Sequence, residues 1–211
     1  MEIYNSLIGL IENSIRQNWD RDALTDYKGA TLQYKDVARK IEKMHILLTQ
    51  CGIKQGDKIA ICGRNSANWT ASFLGIITYG AVAVPILHEF KADNIHNIVN
   101  HSEARLLVVG DQVWENLNEA NMPNLEGIIE LKDFDLVVSR SEQLTHVYEH
   151  LNEEFGHRYP YKFRASDVSY RREQPEELAI INYTSGTTGY SKGVMLSYRS
   201  VVSNIMDIRS K

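Results

Sequence analysis

The sequence predicts an α/β fold, a mostly parallel sheet flanked by helices, and two observations carry that prediction. Short apolar runs at 58–62, 81–84, 106–109 and 128–131 alternate with helical stretches at 67–79, 92–102 and 113–120. Strands separated by helices are joined by crossovers, which makes them parallel and covers them on both faces. The second observation is a run rich in glycine and hydroxyl groups, Tyr183 to Gly193, directly after the apolar segment 178–182. The carboxyl end of a strand is where open α/β sheets hold their ligands.

Taken in order, Leu7, Leu10, Ile11 and Ile15 recur at helical spacing, so an amphipathic helix ends before Trp19. Residues 23–34, broken at Lys28 and Gly29, read as a hairpin. Val37, Ile41, Met44 and Leu48 mark a helix that Gly52 stops. The alternating strands and helices follow, then a strand at 136–138 and a helix carried by Leu144, Val147, Leu151 and Phe155. Residues 156–177 hold nine charged side chains and no sustained apolar period, which suits an exposed connection. Residues 178–183 lack alternation and read as a buried strand, and the glycine-rich run leads into a helix-like segment. There Ser197 is placed to cap a helix through Val201, Val202, Ile205 and Ile208. The expected organisation is an N-terminal α/β unit at 1–155, a connection at 156–177, and the start of a further subdomain at 178–211.

The 211 residues, 43% of them hydrophobic, suffice for one substantial core or two small ones. A net charge of −4 gives no general attraction to nucleic acid or anionic lipid, so an anion site has to be local. The two cysteines, Cys51 and Cys62, form no Cys-x-x-Cys pair, and Cys62 is expected to pack as a small hydrophobe. No apolar run reaches the roughly 18 residues of a membrane span, and the N-terminus lacks a signal-peptide pattern, so the expected location is cytoplasmic.

The glycine-rich run reads as a phosphate-holding loop. Gly186, Gly189 and Gly193 let a ligand approach the backbone closely, the hydroxyls of Thr184, Ser185, Thr187 and Thr188 supply donors, and Lys192 adds a positive charge. The implied ligand is a nucleotide polyphosphate. A Walker loop is excluded because Gly189 follows Gly186 too soon and Lys192 is preceded by Ser191. The Gly-x-Gly-x-x-Gly dinucleotide fingerprint is excluded by the spacing of the same three glycines.

The run resembles the Tyr-Thr-Ser-Gly-Thr-Thr-Gly-x-Pro-Lys-Gly signature of the adenylate-forming (AMP-binding) superfamily of acyl-CoA synthetases, luciferases and peptide-synthetase adenylation domains. Ser191 departs from it, standing where the family usually has the proline that would stiffen the approach to the lysine. Segments 31–37, 52–61, 65–69 and 80–86 are similar to the same family in register, so the resemblance runs from about Ala23 to the end. Val84-Pro85-Ile86 and Val194-Met195-Leu196-Ser197 look most like the long-chain fatty acyl-CoA synthetases.

The resemblance implies the N-terminal portion of the acyl-CoA synthetase-like fold. It also implies a ligase that converts an acid and ATP to acyl-adenylate and pyrophosphate, then to acyl-CoA and AMP. ATP, a fatty acid and coenzyme A are the implied small-molecule substrates, with Mg2+ as cofactor. The triphosphate contacts fall to Thr184, Ser185, Gly186, Thr187, Thr188, Gly189 and Lys192. An amino-acid or aryl-acid adenylating enzyme is the alternative within the superfamily, and a non-catalytic nucleotide-binding or interaction domain the alternative outside it. Family members continue past this loop to adenine, ribose and magnesium segments and a distal catalytic lysine, none of which occurs in these residues. The chain is therefore expected to be the N-terminal part of a larger enzyme, with no complete catalytic set of its own and with apolar surface that favours self-association.

Other candidates have plainer explanations. His146 and His150 stand at a chelating spacing, but no third ligand is apparent and a solvated helix face suffices. His88 and Glu89 follow a strand as a polar turn that could border a substrate channel. Trp69, Phe73 and Tyr79 read as core residues, and Asn65 as the cap of their helix. The 211-residue polypeptide by itself is expected to show no acyl-dependent exchange of pyrophosphate into ATP. An isotope-exchange assay on the purified chain checks this, and detectable turnover overturns it.

Overall fold

The computed structural model describes residues 6–184 and 192–209, those from 206 onward by their backbone alone. Helix α1 (Leu7–Gln17) starts where Ser6 Oγ accepts from the Gly9 N–H at 2.9 Å, and it buries Leu7, Ile8 and Ile15. Strands β1 (Asp22–Thr25) and β2 (Thr31–Gln33) form a separate antiparallel hairpin, with Lys28 in its turn at φ 56°. Helix α2 (Tyr34–Gln50) follows, its first turn fixed by the Gln33 N–H donating to Asp36 Oδ2 at 3.0 Å. The predicted stop is borne out: Gly52 takes a φ of +69°, which side chains disfavour.

The remaining elements are β3 (Lys58–Cys62), α3 (Ala67–Tyr79), β4 (Val82–Ile86), α4 (Ala92–His101), β5 (Leu106–Val109), α5 (Asp111–Trp114), β6 (Gly127–Glu130), β7 (Leu136–Ser139), α6 (Glu142–Glu149), α7 (Leu151–Arg158), β8 (Leu178–Thr184), β9 (Lys192–Ser197) and α8 (Tyr198–Arg209). Among the described residues seven strands form one sheet in the order β7-β6-β5-β3-β4-β8-β9. The five inner strands are parallel, and β7 and β9 run antiparallel at the two edges. The predicted α/β class with a mostly parallel, helix-flanked sheet is therefore the observed one.

Alternate residues of β3 feed two cores. Ile59 and Ile61 join the cluster with α1, α2, α3, α6 and α7, whereas Ala60 and Cys62 join the cluster with α4. Each buried isoleucine contributes roughly 1.5–3 kcal/mol. Burial pushes the Cys62 thiol up to about 12, so it sits as an inert apolar group.

Four differences from the sequence expectations have local causes. The helix expected at 113–120 is a single turn, α5, followed by a 3-10 turn at Glu119–Asn121. The Asn118 N–H donates to His96 Nε2 at 3.1 Å instead of continuing the helix, and its side chain accepts from Ala120 N–H. The helix from Leu144 to Phe155 is split at His150, whose imidazole Nδ1 and N–H both converge on the His146 carbonyl. A strand, β9, stands where a helix-like segment was expected after the loop, although Ser197 does cap α8 by accepting from Ser200 N–H at 3.3 Å. Burial along β8 alternates, with Ala179, Ile181 and Tyr183 inside and Asn182 and Thr184 outside.

The 156–177 stretch is anchored rather than exposed along its length. It buries Phe163, Val168 and Tyr170, and Arg172 forms a two-point pair with Glu12 of α1 at 3.0 and 3.1 Å. Burial raises the Glu12 carboxyl, but Arg172 and the Tyr170 N–H more than offset it and hold its pKa below the ordinary value.

Between α2 and α3, His45 Nε2 lies 3.0 Å from Thr78 Oγ1 and 3.1 Å from the Gly75 carbonyl. Burial pushes this imidazole from 6.5 down to about 4, against the pull of the Glu42 carboxylate. Between those values the unfolded chain takes a proton that the folded state refuses, so stability is full above about 6.5 and declines as pH falls toward 4. Going from pH 7 to pH 5, this group alone is expected to cost about 2 kcal/mol. Denaturant titrations at both pH values check it, with the wild type losing that much more than His45→Gln.

Candidate functional site

Strands β8 and β9 form a hairpin in which Tyr183 faces Gly193 and Thr184 faces Lys192. Thr184 and Lys192 are thus brought opposite each other at the strand tips, both exposed. Ser185, Gly186, Thr187, Thr188 and Gly189 lie outside the described residues. Because β8 is parallel to β4, its tip emerges at the carboxyl edge of the sheet, together with the ends of β3, β4, β5 and β6.

A cleft of about 1070 Å³ opens at that same edge, bordered by Arg64, His88, Lys91, Lys132, Asp26 and Asp111. It lies at the switch point of the sheet, since the chain leaves β3 for β4 on one side and returns to β5 on the other. The β3 and β5 ends converge because both carry glycine. A methyl group at Gly63 would stand 2.6 Å from Leu131 Cδ1 and 3.3 Å from the Gly110 nitrogen. With β4 between β3 and β8, the hairpin tip leaves the sheet two strand spacings from the end of β3, roughly 10 Å.

The cleft wall is tied together locally. Ser66, not Asn65 as expected, caps α3 by accepting from the Trp69 N–H at 3.1 Å, and Asp26 of the β1-β2 turn accepts from the Ala67 N–H at 2.7 Å. Asn65 precedes the cap position and lacks that bond. Trp69 and Phe73 stack at 5.3 Å and are half-buried, and the Tyr79 hydroxyl donates to the Ile53 carbonyl. His88 faces Glu89 at 3.4 Å on the cleft rim. His146 and His150 pack ring to ring at 4.3 Å on the helix junction. Among the described residues no group of three His, Cys, Asp or Glu side chains converges on a point, and no helix is long and apolar enough to cross a membrane.

Sequence reasoning missed two features here. The Gly63 and Gly110 contact depends on strand order, which no local pattern encodes. His101, at the last position of α4, has its Nδ1 2.7 Å from the Tyr183 hydroxyl, a pairing across 82 positions with no sequence signal.

The sequence model of the family described as AMP-binding enzyme matches residues 11–211. The chain belongs to that family. It is 28% identical to the Probable acyl-activating enzyme 16, chloroplastic, of Arabidopsis thaliana over 97% of this chain and 30% of that protein. It is 29% identical to Long-chain-fatty-acid--CoA ligase 5 of Rattus norvegicus over 82% of this chain and 26% of that protein. The anthranilate CoA ligase AuaEII, solved in complex with anthranoyl-AMP, superposes with a TM-score of 0.73 at 22% identity, covering 94% of this chain and 36% of that one. The fold is that of the N-terminal domain of adenylate-forming ligases, and the chain spans under a third of the length of these curated relatives.

In this AMP-binding enzyme chain Gly63 packs directly against Gly110, a residue that lines the cleft. Gly63→Ala is expected to destabilise the fold by about 1–3 kcal/mol, since Leu131 can rotate but the Gly110 backbone cannot yield without moving β5. Gly156→Ala in α7, where nothing lies within 4 Å, is expected to be neutral or stabilising. Denaturant midpoints of the two variants check the contrast.

Proposed function

We propose that this chain is part of an ATP-dependent ligase that activates a long-chain fatty acid and passes it to coenzyme A, and that its β8-β9 hairpin holds the triphosphate. The observation that carries this is the placement of Thr184 and Lys192 at the tips of a hairpin at the carboxyl edge of a parallel sheet, joined by a segment of glycine and hydroxyl residues. The family match and the identity to rat Long-chain-fatty-acid--CoA ligase 5 support the choice of reaction and of acid. Amino-acid or aryl-acid activation is the competing assignment, and a panel of acids in the exchange assay separates them.

In the proposed reaction a carboxylate oxygen attacks the α-phosphorus of ATP and the bond to pyrophosphate breaks. The thiol of coenzyme A then attacks the acyl carbonyl, losing its proton, and AMP departs. Charge grows on the leaving phosphates in the first step, so donors already aimed at them stabilise the transition state without reorganising. Thr184, Ser185, Gly186, Thr187, Thr188 and Gly189 are assigned those contacts, with Lys192 as a mobile positive charge. Mg2+ would enter with the nucleotide, held chiefly by phosphate oxygens. The 178–211 segment is assigned to the start of a second subdomain, joined to the first by residues 156–177.

Replacing Thr187 or Thr188 by valine keeps the shape and deletes a donor. In the complete enzyme this is expected to slow acyl-adenylate formation by roughly 100-fold while leaving affinity for the acid unchanged. Gly189→Val is expected to be worse, because it places a β-branched side chain against the phosphates. Pre-steady-state measurement of adenylate formation decides, and valine variants that lost only fatty-acid affinity would overturn the phosphate assignment.

A further inference from the structure

The tip of the hairpin is weakly tied to the sheet by backbone bonds. Strand β8 meets β4 in register at one position, Ala83 opposite Ile180, and from Ile181 to Thr184 its registered partner is β9 alone. Among the described residues β9 is an edge strand, with Val194 and Met195 exposed. A two-stranded ribbon is marginally stable without side-chain anchorage.

Tyr183 provides that anchorage at two points. Its ring lies against the backbone of Gly193 across the hairpin, where an added Cβ would meet Tyr183 Cζ at 3.1 Å and Ile181 Cγ2 at 2.9 Å. An aromatic ring laid over a cross-strand glycine restores the packing that the glycine lacks and pins the register. The Tyr183 hydroxyl sits 2.7 Å from His101 Nδ1, with the rings perpendicular at 5.7 Å. Helix α4 is rigid at this end, because Ile95, Ile98 and Val99 are buried against the sheet and Ser102 closes the last turn onto the Val99 and Ile98 carbonyls. Burial holds the Tyr183 phenol above its ordinary pKa, so the hydroxyl keeps its proton.

We infer that His101 is a positioning residue for the hairpin tip, acting through Tyr183 to fix where Thr184 and Lys192 emerge. Thr184 and Lys192 are the next residues beyond the Tyr183 and Gly193 pair on each strand. A ring clamped between Gly193 and α4 therefore sets the separation and the direction of both tips. If, as proposed above, the hairpin holds phosphates, the tether governs the rate of adenylate formation rather than the binding of the acid.

The test uses His101→Phe and Tyr183→Phe, which keep the rings and delete the hydrogen bond, together with His101→Asn, whose side chain can restore a partner near the Nδ1 position. In the 211-residue chain, amide hydrogen exchange at Thr184 and Lys192 is expected to rise five- to tenfold in both Phe variants. That is the scale of one hydrogen bond, while protection in β3 and β5 stays unchanged. The double variant should be no worse than either single one, and His101→Asn should recover part of the protection. In the complete enzyme the same Phe variants should lower the rate of adenylate formation by a similar factor with KM for the acid unmoved.

Unchanged exchange at Thr184 and Lys192, or additive effects in the double variant, overturns the positioning role whatever the enzyme does. Raised exchange at the tips with a wild-type adenylation rate, in these variants and in Thr188→Val alike, leaves the tether standing and overturns the phosphate-holding function instead.

Discussion

Strand β3 is bonded on both edges by parallel partners and covered on both faces by apolar helices, and the position of the site follows from that enclosure. A parallel neighbour has to be reached by a crossover, so α3 and α4 carry the chain to β4 and β5. Their buried residues fall in different core clusters, one on each face of the sheet. Right-handed crossovers on opposite faces place the two neighbours on opposite sides of β3. The strand ends part there, and the cleft forms between them. Parallel pairing through β4 sends β8 out at the same edge, which is why the described end of the β8-β9 hairpin and a turn near residue 64 share one side of the molecule.

The interior strands were legible because burial on both faces writes itself as an unbroken apolar run. Lys58–Cys62 and Leu106–Val109 match their predicted limits, and so does α3. Less of the rim was legible. In β9 the three consecutive apolar residues Val194, Met195 and Leu196 are too few to tell a strand from the start of a helix, Lys192 through Met195 are exposed, and the extended form comes from pairing with β8. The 113–120 segment fails as a helix because His96, 22 positions earlier, captures the Asn118 N–H. Ser66 replaced Asn65 as the helix cap by a one-residue shift, within the usual uncertainty of element ends. The glycine-rich motif named the loop, whereas its support by Tyr183 and His101 depends on which helix lies across the sheet from β8.

The 156–177 stretch shows how charge can mislead. Nine charged residues suggested solvent, yet two of them reach back to buried carboxylates. Arg171 pairs within the stretch, with the half-exposed Glu177 at 2.7 Å, whereas Arg158 pairs with the buried Glu42 at 2.9 Å and Arg172 with the buried Glu12. Breaking one such pair strands a carboxylate in the core, which is costlier than losing a surface ion pair.

Helix α1 is held by the same stretch. Glu173 accepts from Ser6 Oγ and the Ile8 N–H, and Glu12 accepts from the Tyr170 N–H and Arg172, partners up to 167 positions away. On a ribosome adding 5–20 residues each second, Glu12 would precede Arg172 by roughly 10–30 s. For that interval the helix carries a carboxylate destined for burial without its counter-ion. It can dock firmly only once residues 170–173 have been made, so the beginning of this chain is completed just before the strand that leads into the glycine-rich segment.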